Sequence, residues 1–95
     1  MANAALDVQE GFLVWFAAPP EFSDIAVHSD GASRGNPGPA SCAAVVSVYT
    51  AGTWCRVVHG ARLLGVETNT VAELAGVSLA CELVQCLFSR CFLVE

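Results

Sequence analysis

The spacing of apolar residues changes character once along this chain, at Thr68. Before that point the apolar residues come in short runs separated by Gly, Pro, Ser and Asp. After it they recur at intervals of three and four. The run Ile25-Ala26-Val27-His28-Ser29 is short and largely apolar, as a buried strand is, and it delivers Asp30 at its end. Gly35-Asn36-Pro37-Gly38-Pro39 then breaks the chain sharply. Residues 40–50, rich in Val and Ala with Tyr49, and residues 54–64 read as second and third strands. The Ala51-Gly52-Thr53 step between them is short enough for a hairpin.

From residue 70 to 88 the period is helical, carried by Val71, Leu74, Ala75, Leu79, Leu83, Cys86 and Leu87. Thr68, Asn69 or Thr70 can each serve as the N-cap. Ser89-Arg90 is expected to end the helix, and Cys91-Phe92-Leu93-Val94 to begin another buried strand. A strand-helix-strand step implies a crossover, so the expected fold is α/β with a mixed sheet: three antiparallel strands, a helix, then a strand parallel to the first. Residues 1–22 read as a leader of unknown role ending at Pro19-Pro20, a pair that neither continues a helix nor joins a central strand. Residues 23–95 are the expected domain.

Composition narrows the picture. A chain of 95 residues holds one domain, and 55% hydrophobic against 14% charged residues is far from a disordered composition. Some of that apolar surface is expected to lie against a partner chain or a further segment. The net charge of −5, with Arg34, Arg56, Arg62 and Arg90 and no lysine, argues against a generic nucleic-acid binder, which grips phosphates through basic side chains. A contact with nucleic acid is expected to rest on metal ions, backbone N–H groups and polar side chains, or on basic segments outside these 95 residues. Cys42, Cys55, Cys81, Cys86 and Cys91 lack zinc-knuckle spacing and read as buried thiols in a reducing compartment. No basic residue precedes Arg34, as a secretory signal or transit peptide would require, and residues 12–18 are too short an apolar run to span a bilayer. The expected location is intracellular, cytoplasmic or nuclear, away from membranes.

Two acidic residues stand out by position. Asp30 falls where a strand gives way to a glycine-rich turn, and by itself an Asp-Gly step is most often only a turn. Glu73 falls at the start of the helix, where an acidic residue commonly complements the helix dipole. Glu82, nine residues on, lies about 180° around the helix at 100° per residue. With Glu82 in water, Glu73 is expected to point toward the sheet, where an ionised group needs a partner or a metal. His28 and His59 read as strand residues with local partners.

Together, Ser29-Asp30-Gly31-Ala32-Ser33-Arg34-Gly35-Asn36-Pro37-Gly38-Pro39 and Thr68-Asn69-Thr70-Val71-Ala72-Glu73 resemble the ribonuclease H family of type 1, including the domains of retroelement reverse transcriptases. The resemblance covers residues 25–95, the N-terminal half of that domain. It implies a metal-dependent endonuclease that cleaves the RNA strand of RNA/DNA hybrids. Asp30 and Glu73 match the first two of four carboxylates that hold two Mg²⁺ or Mn²⁺ ions, with Gly31 beside them. Gly31, Ser33, Asn36, Asn69 and Thr70 match the groups that read ribose hydroxyls of the substrate, Thr70 replacing a frequent Asn. The third carboxylate would fall just beyond Glu95, so the resemblance implies a domain cut short and weak activity for the isolated chain. The alternative is a non-catalytic remnant of the same fold that serves as an interaction or hybrid-binding module.

Overall fold

The structure, a computed structural model, describes residues 11–16 and 21–92, with side chains through Ser89. Four strands, β1 (Gly11–Trp15), β2 (Asp24–Ser33), β3 (Gly38–Thr50) and β4 (Thr53–Glu67), form one sheet in the order β1-β4-β3-β2, and α1 (Asn69–Phe92) follows. All three pairings are antiparallel. The fold is therefore α/β, a four-stranded antiparallel sheet with a C-terminal helix on one face.

The β3-β4 hairpin turns through Ala51-Gly52, both at positive φ (51° and 81°), the backbone that a two-residue connection needs to match strand twist. Along β3 the alternation is regular: Ala40, Cys42, Ala44, Val46 and Val48 are buried and their neighbours are not. In β4 the alternation breaks at a register shift opposite Val46 and Ser47, and Val57 and Val58 are both fully buried. A bulge turns two successive side chains into the core. These valines meet Leu79, Leu83 and Leu87 of α1. Each fully buried Val or Leu is worth about 1.5–3 kcal/mol relative to exposure, so this contact carries much of the fold's stability.

Two expectations about the sheet are corrected. The predicted strand after the helix, parallel to the first, is not formed over Cys91 and Phe92, which continue α1; residues 93–95 lie outside the described residues. Ser89-Arg90 contains neither Gly nor Pro, and continuing a helix across such a step costs little. The fourth strand comes instead from the segment read as a leader. Gly11-Phe12-Leu13-Val14-Trp15 pairs with residues 58–62 of β4, and Leu13 and Trp15 pack against the core. The run is aromatic and β-branched, and it finds in β4 an edge that would otherwise be bare. The rest of that segment, residues 1–10 and 17–20, lies outside the described residues.

Of the apolar residues that carry the helical period, Leu79, Leu83 and Leu87 are buried and Ala75 packs against the core, while three turn outward. The buried line of α1 is Ala72, Gly76, Leu79, Ala80, Leu83 and Leu87, whereas Val71, Leu74 and Cys86 face solvent, Leu74 with 64% of its surface exposed. Small residues at Ala72, Gly76 and Ala80 let the first half of α1 sit close on the sheet. Glu73 and Glu82 do lie on opposite sides of the helix, but they straddle this line and both are exposed, so Glu73 does not point into the sheet. Asn69–Ser89 is by length and composition apolar enough to cross a membrane; a third of that stretch is buried against the sheet.

Candidate functional site

The two resemblance-bearing segments meet where the start of α1 crosses β2. A Cβ built on Gly31 would overlap the Ala72 carbonyl and lie 2.8 Å from the Glu73 amide nitrogen. A Cβ on Gly76 would lie 3.0 Å from the Asp30 carbonyl oxygen. The two backbones are thus in direct contact through a pair of glycines, and Asp30 and Glu73 flank that contact. Asp30 pairs in register with Ala43, so its carboxylate stands on the face of the sheet away from α1, where Oδ1 accepts a hydrogen bond from the Gly31 N–H at 3.0 Å. Glu73 stands exposed on the helix layer. It is the fifth helical residue rather than part of the first turn, because Thr68 is the N-cap and its Oγ1 accepts from the Val71 N–H at 3.2 Å.

Beside this contact, Ser33, Asn36 and Asn69 form one network. Asn69 Oδ1 accepts from the Ser33 N–H at 2.8 Å and from Ser33 Oγ at 3.0 Å. Asn36 Oδ1 accepts from the Asn69 N–H at 3.0 Å, and Ser33 Oγ also lies 2.5 Å from the Gly35 carbonyl. Asn36 thereby satisfies one of the orphan donors at the helix start. Both amide oxygens are spent on holding the loop to the helix, which turns both amide NH₂ groups into exposed donors. Thr70 is exposed beside them. In the sequence these residues are tied only by the resemblance; the structure shows that Ser33, Asn36 and Asn69 orient one another.

On the opposite face a shallow depression of about 300 Å³ opens next to Asp30. Its floor is small, with Ala43, Ala61 and Gly60, and its rim carries Phe12, His28, Arg56 and His59. The His59 ring lies 6.0 Å from Phe12, edge to face, and 5.6 Å from Phe16. His59 has the local partners expected of it; His28 makes no hydrogen bond, ion pair or ring contact among the described residues. This patch was not anticipated, because Phe12 and Phe16 belong to the segment read as a leader. The signal available was the strand-like composition of residues 11–15.

Cys42 is the one buried thiol among the described cysteines; Cys55 is half-buried and Cys81 and Cys86 are exposed, against the expectation that all would be buried. The helix turns those two outward with the rest of its unexpected apolar face. Burial raises the Cys42 thiol above its ordinary pKa, Glu82 adds to the rise, and the Arg62 charge and backbone N–H offset part of it. Above it the Arg62 guanidinium meets the Glu82 carboxylate at 2.5 and 3.4 Å, tying β4 to α1 at a half-exposed position.

No three or more His, Cys, Asp or Glu side chains cluster closely enough to hold a metal among the described residues. A scan against protein-family models finds no match to the chain, and neither does a search of curated proteins or of solved structures.

Proposed function

We propose that this domain carries two ligands of a divalent-metal phosphodiesterase site of the ribonuclease H type, acting on the RNA strand of RNA/DNA hybrids. The observation that supports the reading is the glycine-mediated contact of Asp30-Gly31 with Ala72-Glu73. Two carboxylate-bearing segments 43 positions apart in the chain are joined backbone to backbone, with exposed amide donors alongside. Asp30 and Glu73 suit Mg²⁺ or Mn²⁺, hard ions that take oxygen ligands, keep several waters and are often held by one or two carboxylates plus substrate phosphate. When bound, such an ion activates water and stabilises a leaving 3′-oxygen.

The chain's own residues supply recognition. The amide NH₂ groups of Asn36 and Asn69 donate to sugar hydroxyl or phosphate oxygens, Asn69 held in place by Ser33 and Asn36 by the Asn69 N–H, and Thr70 adds a hydroxyl. The Gly31 N–H, bonded to Asp30 Oδ1, fixes that carboxylate and leaves Oδ2 for the ion. A second reading, a hybrid-binding module without catalysis, is supported by the exposed amide donors of Asn36 and Asn69, which need no metal to act.

Cleavage of end-labelled RNA/DNA hybrid by the purified chain separates the two. The first reading expects slow Mn²⁺-dependent cutting of the RNA strand that disappears in Asp30→Asn and in Glu73→Gln. Hybrid binding with no Asp30-dependent cutting supports the module. Equal affinity for hybrid and duplex DNA, with no cutting, removes both.

A further inference from the structure

We propose that the depression on the helix-free face of the sheet is a binding site for one nucleotide unit of a single-stranded nucleic acid, independent of metal. Three observations converge there. The first is shape: the small side chains of Ala43 and Ala61, with the Gly60 backbone between neighbouring strands, leave a depression of about 300 Å³, the lower end of small-ligand sites. The second is the wall. Phe12 and His59, held edge to face at 6.0 Å, stand at its border, and an exposed aromatic on a sheet is a surface on which a base of any sequence stacks.

The third is charge. The chain carries −5 overall, yet Arg56, His28 and His59, half of its six Arg and His residues, rim this one depression. Arg56 is exposed and has neither an ion pair nor a hydrogen bond among the described residues. Its guanidinium offers a planar fork of donors suited to phosphate oxygens. Asp30 also lines the depression and opposes an anion there, and Asp24 stands on the same face two register rows beyond Arg56. The site therefore grips one phosphate near Arg56 and one ring near Phe12 and His59, rather than a long stretch of backbone. The inference does not need Glu73 or any metal.

The test is a titration in EDTA with a single-stranded RNA hexamer, with adenosine 5′-monophosphate, adenosine and inorganic phosphate as separate arms, followed by amide chemical shifts. The expected result is shifts at Ala43, Arg56, His59 and Ala61 with the hexamer and the monophosphate, and weaker effects from adenosine or phosphate alone. Arg56→Ala weakens hexamer binding about tenfold and Phe12→Ala about fivefold. Asp30→Asn leaves binding equal or tighter and Glu73→Gln leaves it unchanged, the reverse of their effect on cleavage, so failure of the metal reading and failure of this one are distinguishable. Circular dichroism checks that each variant is folded; Arg56 is exposed and its loss opens no cavity. Shifts confined to the Asn36 and Asn69 loop would overturn the proposal. So would phosphate binding as tightly as the monophosphate, or sedimentation showing the face buried between two copies of the chain.

Discussion

Replacing Gly31 by alanine should be a severely damaging single-methyl change. The added Cβ would overlap the Ala72 carbonyl and lie 2.8 Å from the Glu73 nitrogen, and both neighbours are helix backbone rather than the movable end of a side chain. Relief requires the start of α1 to lift from β2 by about 1 Å, since carbon and oxygen atoms sit no closer than about 3.2–3.5 Å. That lift loosens Ala72 and Gly76 and, through the rigid helix, the Leu79 and Leu83 contacts with Val46 and Val58. Overpacking of this kind costs about 1–3 kcal/mol where neighbours can adjust, and here none can, so we expect about 3 kcal/mol or more. For a domain of this size that lowers Tm by about 12–24 °C.

Gly76→Ala is the internal control. Its Cβ would lie 3.0 Å from the Asp30 oxygen, a tight but not impossible contact, and alanine recovers about 1 kcal/mol of helix propensity, so the net change should stay within about 1 kcal/mol. Urea unfolding, followed by Trp15 at the core and cross-checked by circular dichroism, measures both. A Gly31→Ala protein within 1 kcal/mol of the parent would refute the close helix-strand contact and, with it, the basis for pairing Asp30 with Glu73.

Other perturbations follow from single features. Leu83→Ala removes a side chain 1% exposed at the centre of the core and should cost about 3 kcal/mol by urea unfolding. Thr68→Ala deletes the N-cap hydroxyl and should cost about 1 kcal/mol, with Thr68→Ser recovering most of it. Because the folded Cys42 thiol has a raised pKa, the native state holds its proton where the unfolded chain has released it; stability is full below about pH 9 and falls as pH rises further. Unfolding curves at pH 7 to 10 should show that fall reduced in Cys42→Ala, and an identical slope in the variant would sink the assignment.

The periodicity of the chain was enough to place β3, its hairpin with β4, and a helix beginning near Thr68, because alternation and helical spacing are local and each element satisfies its own backbone. The Asp30 and Glu73 motifs were also legible, as residue types at a spacing. Three things were not. The inward face of the first turns of α1 was missed because Val71 and Leu74 were counted with Leu79, Leu83 and Leu87, whereas a helix lying close on glycine selects Ala72, Gly76 and Ala80; the small residues four apart were the overlooked signal. That Gly11–Trp15 adds a strand at the β4 edge, and that α1 runs on through Cys91 and Phe92, depend on long-range pairing and on the want of a stop signal at Ser89-Arg90. The placing of Asp30 on the helix-free face of β2, and the gathering of Phe12, Arg56 and His59 onto that same face, are products of register across strands far apart in sequence. By itself the sequence determined which chemical groups this protein has and the short-range elements that carry them; only the tertiary structure decided which groups face one another, because that depends on long-range pairing and packing distance.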